Sequence, residues 1–181
     1  VRHQVAPDAT AEAAEDSESR FINGRLAMYL NSRRGVPTYR QITDFEWDVA
    51  ALPQQRRAAG ILHSDAYCMA GATHDKASAW RFIEFANSPA GQTIVARSGR
   101  TAPSLRAVAE SPAFLDPSLS PRNSRAFLDT LPVMRGVPIL RNWVDIEDLA
   151  SAEIERAYYG YANVDEAIQA ALVRTKEYFT P

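Results

Sequence analysis

The sequence predicts an α/β fold, and three observations carry that expectation. Short apolar runs that read as strands are separated by helical patterns instead of being clustered. Hydrophobic residues make up 46% of the chain and charged residues 23%, the balance of a globular domain with a real core. Glycine, proline and capping residues punctuate the helical stretches at the places where helices should start and stop.

The elements follow in order. Residues 9–20 are rich in Ala and Glu and predict a helix. Asn23-Gly24 ends it, because both residues tolerate the left-handed conformation that closes helices. Residues 26–30, Leu-Ala-Met-Tyr-Leu, predict a buried strand, and the polar loop 31–35 with Arg33 and Arg34 follows. Trp47, Val49 and Ala51 alternate with Asp48 and Ala50 before Pro53, which predicts a second strand. Residues 66–70 predict a third, and its Cys68 is expected to be a small buried residue.

Asp75 is placed to cap a helix carrying Trp80, Phe82, Ile83 and Phe85. Ser88-Pro89 opens a second helix, with proline where a missing N–H costs nothing, and Gly99 closes it. The proline-rich stretch 103–138 predicts loops and short helices, one of them near 126–131. Two longer helices end the chain. The first covers about 145–159, with Ile146, Leu149 and Ile154 inward and Gly160 as terminator. The second starts at Asn163 with Glu166 three residues on, a capping-box pattern. Its expected inner stripe is Val164, Ile168, Ala171, Leu172 and Phe179.

Several classes of function lack their chemistry. A net charge of −2 gives no global reason to bind nucleic acid or an anionic membrane. A lone cysteine permits no internal disulfide. His3, His63 and His74 are not at metal-ligand spacing, so neither a metal nor a cofactor is expected. No phosphate loop, dinucleotide fingerprint or nucleophile turn occurs. His63-Ser64-Asp65 holds the residue types of a hydrolytic triad, but consecutive side chains diverge and cannot form one alone. No apolar run approaches the roughly 20 residues of a membrane helix. Val1-Arg2-His3-Gln4 has neither initiator Met nor an apolar signal core, which predicts a processed or truncated chain.

A set of segments, in order, resembles the C-terminal part of the family 1 extracellular solute-binding proteins, the group of maltose- and glycerol-phosphate-binding proteins. They are Phe21-Ile22-Asn23-Gly24-Arg25-Leu26-Ala27-Met28, the run 45–53 ending in Leu52-Pro53, and Ala79-Trp80-Arg81-Phe82-Ile83-Glu84-Phe85 with Ser88-Pro89-Ala90-Gly91-Gln92. Gly99-Arg100-Thr101-Ala102-Pro103, Asn142-Trp143 and Val164-Asp165-Glu166-Ala167 complete the series. The resemblance covers nearly everything from Phe21 onward. It departs from the family at His63-Ser64, where two glycines are usual, so side chains instead of bare backbone are expected to face the ligand there.

The resemblance implies a class II periplasmic-binding-protein-like fold, helix-rich with a small mixed sheet. Residues 1–60 and 103–181 would form the second lobe, and 61–102 would return to a first lobe whose bulk lies upstream. It implies a non-enzymatic carrier that closes on a sugar-like solute and hands it to the membrane permease of an ABC importer. Such a protein would be periplasmic or extracellular, with or without a lipid anchor, and monomeric when complete. It also implies that 61–102 expressed with this segment alone would lack partners for its apolar faces, giving low stability.

For the solute, a sugar site needs flat aromatic faces and hydroxyl-bonding polar groups. Trp143 is the aromatic candidate, with packing between helices as the alternative. Asn31, Ser32, Arg33 and Arg34 would bond hydroxyls or an anionic group, or else form an exposed basic turn. His63 and Asp65 would face the cleft or serve the hinge; Arg100 and Thr101 are weaker candidates. Trp80 and Trp47 are expected in the core. The alternatives are a receptor for a polyol phosphate or small peptide, a hydrolase using His63 and Asp65, or a scaffold domain.

Overall fold

A computed structural model describes residues 5–179. Val1-Arg2-His3-Gln4, read above for the start of the chain, lie outside the described residues. The chain divides into two compact units, one of residues 21–136 and one of 5–20 with 137–179.

In the unit 5–20 with 137–179, the expected first helix is two. α1 (Ala9–Ala14) is capped by Asp8, whose carboxylate accepts from Ala11 N at 2.8 Å. α2 (Ser17–Ile22) starts afresh because Asp16 accepts from Ser19 N at 3.0 Å, a local bond that competes with helix continuation. Arg20 reaches back to the open end of α1, donating to Ala11 O at 2.6 Å and Glu15 O at 2.9 Å. Further along the chain, α8 (Trp143–Tyr158) and α9 (Val164–Thr175) pack on each other, joined through Gly160 at φ +81°. The Asn163–Glu166 capping box forms in both directions, at 2.9 and 3.2 Å. A 3-10 turn, Lys176–Phe179, follows α9.

The inner stripe of α9 differs from expectation. Ala167 and Thr175 are buried, while Val164, Ile168, Leu172 and Phe179 are exposed. On α8, Ile146 is buried as expected but Ile154 is exposed, and the second buried residue is Glu153. The physical reason is a charge clasp. Glu153, 3% exposed, accepts from Arg156 at 2.5 Å on its own helix and from Arg174 at 2.7 Å on α9. Those hydrogen bonds, Arg174 first and Arg156 second, hold its carboxyl below the usual range. The clasp sets the rotation of α9, so its small face meets α8.

In the unit 21–136, Gly24 ends α2 with φ +69° and its N–H on Phe21 O at 3.0 Å. A 3-10 turn, Arg33–Gly35, runs into α3 (Val36–Tyr39). α4 (Lys76–Asn87) and α5 (Pro89–Ser98) form where their caps foretold: Asp75 accepts from Ser78 N at 2.9 Å, and Ser88 from Gly91 N at 3.2 Å. Gly99 closes α5 at φ +84°. α6 (Arg106–Ala109) and α7 (Arg125–Asp129) are short, as the prolines imply. Gln92, buried on α5, accepts from Leu105 N at 2.9 Å and donates to Ser104 Oγ at 2.7 Å, which fixes the start of α6. Ala96, Val108 and Phe114 form the core, with Leu105, Leu115, Phe127 and Leu128 packed around it.

The fold is helix-rich with a small sheet, as expected, but the sheet is a parallel pair instead of a mixed one. β1 (Gly60–Leu62) runs beside β2 (Met134–Gly136), with Ile61 opposite Arg135. The three strands expected at 26–30, 47–51 and 66–70 are irregular. A strand exists through its ladder, and no described segment pairs with these three. Two expectations of burial fail with them. Cys68 is exposed, and Trp80 is 53% exposed because no described residues cover that face of α4. Trp47 is half-buried, edge-on to Tyr39 at 5.7 Å.

Candidate functional site

The turn after Leu30 is built by its neighbours. Gly35 is required because a Cβ there would overlap the Tyr39 ring. That ring is the hub of an aromatic cluster, edge-on to Phe21 at 5.6 Å, Tyr29 at 6.3 Å and Trp47 at 5.7 Å. Its hydroxyl accepts from Asn31 Nδ2, while Asn31 Oδ1 accepts from Ser32 N at 2.7 Å. Asn31 is therefore fixed in orientation yet exposed. The turn was expected to follow a strand end; it follows the irregular segment 26–30, and the aromatic cluster, not a ladder, holds it.

The two adjacent arginines point different ways. Arg34 is exposed and makes no ion pair or hydrogen bond among the described residues. Arg33 is 6% exposed. Its guanidinium carbon lies 4.1 Å from the Phe114 ring centre and 4.9 Å from that of Phe127. Nη1 donates to Ser124 Oγ at 3.3 Å, and Ser124 in turn donates to Pro121 O at 2.9 Å. Nε and Nη2 are buried without a hydrogen-bond partner. Burial first, and the charge of Arg40 second, lower the Arg33 guanidinium to about 10.

His63 and Asp65 leave the C-terminal end of β1 and are exposed, with no hydrogen bond or ion pair among the described residues. Arg100 is exposed and Thr101 half-buried in the segment after Gly99. Trp143, in the other unit, is the first residue of α8, half-buried, its N–H on Leu140 O at 3.2 Å. Thus Asn31, Arg33 and Arg34 share one turn and His63 and Asp65 share one segment.

Sequence reasoning missed the cage around Arg33: Phe114, Phe127 and Ser124. It also missed a groove of about 700 Å³ lined by Arg40, Phe45, Trp47, Asp48, Ser118 and Arg122, among others. None of the six candidate residues lines it, nor a second groove bounded by Leu149, Arg174 and Tyr178. Among the described residues no cluster of His, Cys, Asp and Glu could hold a metal ion, and no helix is long and apolar enough to cross a membrane.

Comparison with known proteins gives a family. Residues 3–119 match the bacterial extracellular solute-binding protein family. No curated protein matches the chain. Among solved structures, the fold matches an ABC substrate-binding protein from Listeria monocytogenes, solved in complex with cycloalternan, with a TM-score of 0.75 at 20% identity. The match covers 95% of this chain and 44% of that one, so this chain spans less than half of that protein's length. The family match spans more than half of the chain: the chain belongs to the bacterial extracellular solute-binding proteins.

Proposed function

We propose that this chain is the C-terminal portion of the solute-binding component of an ABC import system. It takes a sugar or sugar-like solute into a cleft between two lobes and delivers it unchanged to the membrane permease. The observation that carries this reading is the likeness of the fold to a protein solved in complex with cycloalternan. Residues 1–60 and 103–181 are assigned to the second lobe. Residues 61–102 are assigned to the first, whose remainder is supplied by further polypeptide. Closure follows from linkage: solute binds the closed form better and shifts the population toward it. The complete protein is assigned outside the cytoplasmic membrane as a monomer.

Within the cleft, Trp143 offers a flat face to sugar C–H groups, while Asn31, Arg34, His63 and Asp65 bond hydroxyls. Arg33 serves the same turn from beneath. Support comes from Asn31, whose amide is pre-oriented by Tyr39 yet remains exposed.

A thermal-shift screen of the complete protein tests the reading. Some carbohydrates should raise its melting temperature, because binding to the native state stabilises it. A response to peptides and to no carbohydrate would refute it, as would turnover of a glycoside or ester that Asp65→Ala abolishes. Trp143→Ala should weaken sugar binding while leaving the fold intact.

A further inference from the structure

We infer that the Asn31–Arg34 turn selects a solute that carries an anionic group, a sugar acid or sugar phosphate, in preference to a neutral sugar. The inference rests on the reading of this turn as a solute contact. Its basis is an uncompensated charge. A buried guanidinium ordinarily sits against a carboxylate, because taking a cation out of water costs several kcal/mol unless it is paired. Among the described residues Arg33 has no such partner: its contacts are two phenyl faces and one hydroxyl. Two of its nitrogens, Nε and Nη2, have no hydrogen-bond partner among the described residues. The other charge that acts on it, Arg40, has the same sign.

Four acidic groups of the same unit are engaged elsewhere. Glu46 pairs with Arg122 at 3.1 Å. Asp48 accepts from Asn123 N and Val49 N, both at 2.9 Å. Asp116 is held by Ser118, with Oγ at 2.6 Å, and acts on Arg40. Asp44 accepts from the Thr43 hydroxyl at 3.2 Å.

With no carboxylate against it among the described residues, the Arg33 guanidinium exerts its field through low-dielectric surroundings, where it is felt more strongly than through water. Next to it in sequence stands Arg34, exposed and unpaired among the described residues. A planar guanidinium in that setting is matched by a carboxylate or phosphate, which takes two parallel hydrogen bonds. The arrangement assigns direct contact with the anion to Arg34. Arg33 acts as a positioning and field residue beside it in the chain, since its own edge is closed.

Calorimetric titration of the complete protein with glucose, glucuronate and glucose 6-phosphate, and with the galactose counterparts, tests this. The expected result is that one charged member of a trio binds at least about tenfold tighter than its neutral parent. The preference should shrink with added salt. Arg34→Gln should remove it, weakening the charged sugar far more than the neutral one. Arg33→Met, whose unbranched chain can still lie between the two rings, should reduce it. The uronate and phosphate arms tell the two anions apart. Equal affinity for charged and neutral sugars overturns the inference while the solute-binding reading stands. A preference that survives both substitutions also overturns it, since the anion is then read elsewhere. Binding of no sugar of either kind removes the underlying reading as well.

Discussion

At the scale of single residues, Gly35 and Glu153 show how little of the outcome composition dictates. Gly35 has no positive φ; it is glycine because the Tyr39 ring occupies the space of a side chain. Gly35→Ala should push that ring off the turn, release Asn31 and lower the melting temperature by several degrees. Near-ultraviolet circular dichroism should register the altered tyrosine packing; an unchanged spectrum and melt would contradict the contact. Glu153 makes a pH-dependent contribution whose sign is fixed. Its carboxyl titrates lower in the folded state, so its stabilisation is present above the unfolded value near 4.5 and is lost as pH falls through the lower folded value. Glu153→Gln should therefore cost stability at neutral pH and flatten the acid side of the stability profile. Parallel profiles for the two proteins would rule out the clasp. Arg33 could be read from sequence only as half of a basic pair. Its inward turn depends on Ser124, 91 residues away, and on two distant phenylalanines, and no local pattern reports them.

At the scale of elements, what was legible follows from the range of the forces. Caps act within three or four residues, so Asp75, Ser88-Pro89, Gly99, Gly160 and the Asn163–Glu166 box all lie where the sequence puts them. Asn163→Ala should cost about 1 kcal/mol through α9, read by chemical denaturation, and Asn163→Asp should restore most of it. Equal midpoints for Asn163→Ala and the parent would mean the cap contributes nothing. Strands are another matter. The apolar alternation at 26–30, 47–51 and 66–70 is real, but a ladder needs a partner, and periodicity does not say where the partner is. The same blindness affected helix faces. The large apolar residues of α9 were assigned inward by their spacing, whereas the buried Glu153 clasp rotates that face outward.

At the scale of the whole molecule, the exposed apolar side chains are the most informative residue of the comparison between sequence and structure. Trp80, Phe82, Phe85 and Ile94 on α4 and α5, and Met28 and Leu30 before the turn, are all exposed. Large apolar side chains exposed in such number are what contacts with further polypeptide would cover. The matched structure extends well beyond what this chain covers, which agrees with the proposal that further polypeptide completes the first lobe. Expressed alone, residues 1–181 should bind a hydrophobic dye strongly and self-associate; a dye-silent, monomeric and cooperative melt would argue that the chain needs nothing more.

The central claim is that this polypeptide forms part of a clamp that closes on a solute. Small-angle X-ray scattering of the complete protein, with and without the carbohydrate that raises its melting temperature most, tests it most directly. Closure should appear as a smaller radius of gyration at saturation, reversed when the sugar is dialysed away. A radius that stays the same with the site demonstrably filled would contradict it.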